Sequence, residues 1–149
     1  MKQPLLAALF LAAATGVASA DGQAVFDNSC AFCHQAGGVG VPGQFPRLAG
    51  RAGMIAATAE GKGFLPKVLL NGMSGRVTVD GQPVLGIMPG FDSLSDDDIA
   101  AVLTYVSGLD HAPVIYGADD IKKARAEPKM SPTDLAAVRE DLAARKVVP

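Results

Sequence analysis

Apolar residues recur at helical spacing in three stretches of this chain. Phe26, Cys30 and Cys33 fall at i, i+4 and i+7, which predicts a first helix over residues 22–33 with both cysteines on one face. Ile99, Val102, Leu103 and Val106 mark a later helix that begins at Ser95, followed three residues on by Asp98 in a capping-box-like arrangement, and stops at Gly108. Leu135, Val138 and Leu142 form a third stripe behind Ser131-Pro132-Thr133-Asp134, a strong helix start. Residues 35–53 are rich in Gly and Pro and predict a wrapping loop. A short helix is expected to start near Pro66 and to end at Asn71-Gly72. Residues 76–79 and 82–85 flank Asp80-Gly81, the turn of a tight surface hairpin whose second strand Pro83 restricts to an edge. The sum is an all-α architecture with a small hairpin and a C-terminal helical extension.

The N-terminus has a separate purpose. Lys2 supplies a positive charge, Leu5 to Ala14 are apolar or small, and Ala18-Ser19-Ala20 is an A-x-A cleavage site, so residues 1–20 read as a secretory signal. Cleavage after Ala20 starts the mature chain at Asp21, with no later apolar run long enough to cross a bilayer. The domains expected are residues 21–109, around the cysteines, and an extension over 110–149.

Composition narrows the partners. The chain has 13 Lys and Arg against 15 Asp and Glu, and losing Lys2 with the signal moves the net charge from −2 to −3, which excludes nucleic acid as a natural partner. Aromatic residues make up 5% and tryptophan is missing, a poor supply for a core built from side chains alone. Asp96-Asp97-Asp98 offers two readings, a docking patch for a basic partner or anions on a helix N-terminus; the dipole argument favours the second.

The two cysteines of the chain lie in Cys30-Ala31-Phe32-Cys33-His34, the C-x-x-C-H pattern of c-type haem attachment. Two thiols a helical turn apart reach the two vinyl groups of one macrocycle edge, and His34 beside them can ligate the iron. A chance match, a thioredoxin-like redox pair and a structural disulfide compete with this reading. The redox pair wants a βαβ context that is absent, and neither of the last two accounts for His34. Export agrees with the motif, since covalent haem attachment belongs to the periplasm or an equivalent compartment. Among candidates for a sixth ligand, Met88 stands first, because it lies in Gly86-Ile87-Met88-Pro89-Gly90-Phe91, where Pro89 fixes the backbone ahead of the Ser95 helix. Met73 is the runner-up and is expected to pack near the haem edge. Met54, Met130 and His111 sit in less suitable contexts.

With these residues in place, the chain resembles the class I monohaem cytochrome c family over roughly residues 22–109. The resemblance rests on C-x-x-C-H near the mature N-terminus, Phe45-Pro46-Arg47-Leu48-Ala49-Gly50 in the loop, Met88-Pro89, and Leu103-Thr104-Tyr105-Val106 in the last family helix. It implies helices wrapped around one covalent haem c held through Cys30 and Cys33, with iron ligated by His34 and Met88. It further implies that the Pro46 carbonyl accepts from the free ring nitrogen of His34, that Leu48 packs on the haem face, and that Gly22 and Phe26 cross Tyr105. Many bacterial members resembling the Leu70 to Met88 segment serve periplasmic dehydrogenases or terminal oxidases. The 41 residues after Gly108 depart from a compact member.

The function expected is therefore periplasmic electron transfer from a dehydrogenase donor toward an oxidase or another cytochrome, without catalysis. Two rivals remain from other classes. A haem enzyme or gas sensor with an open distal site would want a distal His and Arg pair or a second C-x-x-C-H. A structural cytochrome subunit would hold a dehydrogenase through the C-terminal tail.

Overall fold

The computed structural model describes residues 20–149, so the secretory signal read over residues 1–20 lies, apart from Ala20, outside the described residues. Seven α-helices and one hairpin follow in the order α1 (Gly22–Ser29), α2 (Ala31–His34), α3 (Ala52–Ala56), α4 (Ala59–Asn71), β1 (Met73–Val79), β2 (Gln82–Met88), α5 (Asp96–Ser107), α6 (Ala118–Ala126) and α7 (Pro132–Ala144). No described helix is long and apolar enough to cross a membrane.

Helix α1 starts where Asp21 accepts from the amides of Gln23 and Ala24. The expected single helix over 22–33 is broken: Cys30, at φ −119°, closes α1 and opens α2. Phe26 goes into the core, and Cys30 is partly buried against the same cluster. Phe26 is fully buried and meets Tyr105 of α5 with ring centroids 5.5 Å apart, as expected for this crossing. Gly22 permits the approach, because a Cβ there would lie 2.2 Å from the Ala101 carbonyl oxygen.

Helix α5 begins as its sequence dictates, with Ser95 Oγ accepting from the Asp98 amide at 3.0 Å. Its buried face, Ile99, Val102, Leu103 and Val106, joins Phe26, Leu70 and Ile121 in one cluster that unites α1, α4, α5 and α6. Asp96 pairs with Arg125 of α6 at 3.0 Å, so one of the three aspartates ties α6 down. Helix α6 itself is anchored by a single fully buried residue, Ile121.

Helix α4 starts seven residues before the expected Pro66, at a cap where Thr58 accepts from the Gly61 amide, and it ends at Asn71 as predicted. An interior proline removes one helical hydrogen bond and costs about 3 kcal/mol in an exposed helix. Here Pro66 is fully buried, and the burial of its ring offsets that cost. The other side of α4, Phe64 and Val68, receives Leu135 and Leu142 of α7, so the tail stripe packs back on the body of the protein.

The hairpin turns at Asp80 (φ 51°) and Gly81 (φ 75°), the two positive φ angles that an Asp-Gly type I′ turn needs. It runs three residues further at each open end than expected and pairs Met73 with Met88. Nor is it a free surface hairpin. Val77, Val79 and Val84 cluster with Ala136 of α7, and the Arg139 guanidinium donates to the Thr78 carbonyl at 2.7 Å.

Candidate functional site

The site begins at Cys30, between α1 and α2. The amides of Cys33 and His34 both donate to the Cys30 carbonyl, at 3.1 and 2.9 Å, which winds the two thiols and the imidazole into one turn. The wrapping loop then brings Pro46 back, and His34 Nδ1 lies 2.8 Å from the Pro46 carbonyl oxygen. A carbonyl only accepts, so Nδ1 carries the proton and a neutral His34 keeps its lone pair on Nε2. Burial holds the His34 pKa below its ordinary value, against the opposing effect of the Pro46 hydrogen bond, so the ring is neutral and competent as a ligand near neutral pH. Gly40 makes this closure possible. Its φ is +68°, and a Cβ would stand 2.5 Å from the Phe45 carbonyl oxygen and 2.7 Å from the Arg47 amide.

Cys30 and Cys33 are free thiols, both half-buried. Burial first, and the neighbouring Cys33 second, push the Cys30 thiol up to about 11. A thioredoxin-like couple needs an attacking thiol with a depressed pKa, so the direction of this shift argues against that reading of the pair.

A cavity of about 300 Å³ opens in front of these three residues. Cys30, Cys33, His34 and Pro46 line it together with Met73, Met88 and the inward face of the hairpin. Phe45, Val77, Val84 and Phe91 add apolar surface, and no lining side chain is an Asp, Glu, Lys or Arg. Six of the seven residues singled out in the sequence thus meet at one hollow. Leu48 does not: it is half-buried against the Phe26 and Leu103 cluster and is not among the lining residues, because the loop turns it toward α1 and α5. The methionine side is held as tightly as the histidine side, by a second glycine. At Gly72 (φ +76°) a Cβ would meet the Met88 carbonyl oxygen at 2.5 Å.

A second hollow of about 270 Å³ lies behind Phe45, Pro46 and Val84, and there Arg47 and Asp80 bring in charge. Arg47 and the buried Arg51 both bind the Asp80 carboxylate, at 3.2 and 2.7 Å. The donor set fits a c-type haem: two thiols, a neutral imidazole with its tautomer fixed and two thioethers share one mostly apolar lining, with an arginine in the adjoining hollow. Among the described residues no group of three or more His, Cys, Asp or Glu could hold a bare metal ion.

Sequence reasoning missed the hairpin's share of this lining. The signal was present, since counting outward from Asp80-Gly81 pairs Met73 with Met88 and puts every second residue on one face. The glycines at 40 and 72 carried no such signal, because their need appears only once the segments they face are in place.

Known proteins resemble this chain over most of its length. The family model described as Cytochrome c matches residues 19–110. One cytochrome c-552 of Thermus thermophilus is 38% identical over 148 residues, covering 95% of this chain and 98% of the relative. Another cytochrome c-552 of the same species is 39% identical over 129 residues, covering 83% of this chain and 97% of the relative. The first alignment leaves only a few residues of this chain uncovered, so most of the segment after residue 110 has a counterpart in that relative.

Proposed function

Because this chain belongs to the cytochrome c family, we propose that it is a periplasmic one-electron carrier whose iron is held between His34 Nε2 and Met88 Sδ. Family membership carries haem electron transfer; the ligand pair, the compartment and the partners are our reading. The observation that supports it is that a tautomer-fixed imidazole and a backbone-fixed methionine line one cavity without Asp, Glu, Lys or Arg in its lining.

A haem c bound there supplies a Fe(II)/Fe(III) couple, whose potential methionine ligation and burial raise. The chain does the rest. Cys30 and Cys33 would each form a thioether to one vinyl group. The Pro46 carbonyl accepts from His34 Nδ1, which fixes the ring plane and strengthens Nε2 as a donor. Met88 would supply the second protein ligand and so exclude water and small ligands. Phe45, Val77, Val84 and Phe91 keep the surroundings dry. Arg47, on the charged side, is placed to neutralise acidic substituents of the macrocycle.

The half-buried cysteines put the edge they would hold near the surface, where a partner can approach. The donor we envisage is a periplasmic dehydrogenase and the acceptor an oxidase or another cytochrome. Compartment and cleavage after Ala20 rest on the A-x-A site. The occupied apolar stripe of α7 favours a free carrier over a subunit anchored through its tail. An optical redox titration of the exported protein tests the reading: one reversible one-electron curve is expected, and a hysteretic or two-electron curve would overturn it.

A further inference from the structure

On the inward face of the hairpin, two rungs that carry side chains bracket one that carries none. Met73 faces Met88, Val77 faces Val84, and between them Gly75 faces Gly86. All six line the cavity that contains Cys30, Cys33 and His34. Rungs on one face are two residues apart, about 6.7 Å along the strand, so the floor between the methionines and the valines is bare backbone.

Glycine is a poor strand residue, since it packs no side chain and gives up the most backbone freedom on folding. Gly75 has a local reason to be glycine, a φ of +133°. Gly86 has none. Its φ lies outside the left-handed region, and a Cβ built on it meets no protein atom within 4 Å. The protein alone would accept a side chain there and gain from it as a strand. What that side chain would occupy is the cavity.

We propose that the Gly75–Gly86 rung is a haem contact: it seats the macrocycle against bare hairpin backbone and thereby sets how far Met88, on the neighbouring rung, reaches toward the iron. The inference rests on the reading of this cavity as the haem site. The hairpin cannot yield to make room for a bulkier rung. Its open end is pinned where Gly72 packs under the Met88 carbonyl and where Gly90 lies so close to α4 that a Cβ would be 2.9 Å from the Leu70 carbonyl oxygen. A side chain at position 86 must therefore displace either the macrocycle or the Met88 thioether.

The test uses the full-length, haem-loaded protein. In the proton NMR spectrum of the reduced wild type, the α-protons of Gly86 should be displaced far from the usual glycine range by the macrocycle ring current, while those of Thr78, on the opposite face, should not. Ordinary shifts at Gly86 would overturn the proposal, and this measurement stands even if no variant can be recovered. Gly86→Val should lose the weak near-infrared band of ferric His/Met haem. Gly86→Ala should lose it at a pH about one unit lower than wild type, a tenfold weaker hold on the iron. Leu85→Ala, on the outward face, should match wild type. Unchanged bands and midpoints in both Gly86 variants would refute the seat. Met88→Ala separates this inference from the ligand assignment: a band surviving there removes Met88 from the iron, and the α-proton shifts alone then decide whether the rung touches the macrocycle.

Discussion

Met73 and Met88 are direct cross-strand partners at the open end of the hairpin, and both thioethers border the cavity that His34 faces. They are not equivalent. Both pack against the α4–α7 cluster of Phe64, Val68 and Leu135, but Met88 is followed by Pro89 and its backbone is wedged over Gly72, whereas Met73 packs also against Val77, Val79, Val84 and Ala136. Replacing Met88 with Ala should abolish the near-infrared charge-transfer band and lower the potential. Met73→Ala should keep the band and instead reduce stability by no more than about 2–5 kcal/mol, in proportion to its partial burial. Absorption spectra and denaturation curves of the two variants check both halves, and exchanged phenotypes would move the ligand to Met73.

A second expectation sets packing against local propensity. Gly22 lies in the first turn of α1, where Ala would ordinarily favour the helix. Yet a Cβ there collides with the Ala101 carbonyl and the Tyr105 side chain of α5. Gly22→Ala should therefore destabilise the protein by about 1–3 kcal/mol through overpacking. Chemical denaturation measures it, and an increase in stability would show that the α1–α5 crossing is looser than this contact implies.

Acid should weaken the contact between the hairpin turn and the loop. A hydrogen bond from Arg47, helped by the charge of Arg51, holds the Asp80 carboxyl below its ordinary range. With the folded pKa below the unfolded one, the contribution is complete above the unfolded value near ~4 and disappears as pH falls through the folded value. Because Asp80 is largely solvated, the effect is modest. The denaturation midpoint of Asp80→Asn relative to wild type should close progressively on titration from about pH 6 downward, and a constant difference would remove Asp80 from the acid response.

Much of the site was legible because its chemistry is local. Cys30, Cys33 and His34 lie within one turn, and Ser95, Ser131, Asn71 and Asp80-Gly81 are boundary signals that act within three residues. What failed depends on distant contacts. Pro66 looks like a helix start until Thr58 supplies an earlier cap and the core takes the proline ring. The kink at Cys30 does not disturb the apolar spacing that suggested one helix. Helix α3 rests on small residues, Ala52, Gly53 and Ala56, and α6 on Ile121 alone, so neither shows a stripe. Leu48 packs against the Phe26 cluster where the loop closes on Gly38, a contact that no local pattern announces.

We propose that this chain itself supplies both protein ligands to the iron, His34 and Met88. A carbon monoxide difference spectrum of native, freshly reduced protein near neutral pH tests it most directly, because carbon monoxide binds ferrous haem only where a position is open or readily vacated. Slow and incomplete binding is expected in the wild type, and fast, complete binding in Met88→Ala. Rapid and complete binding by the wild type would contradict it and favour an enzyme or sensor with an open distal site.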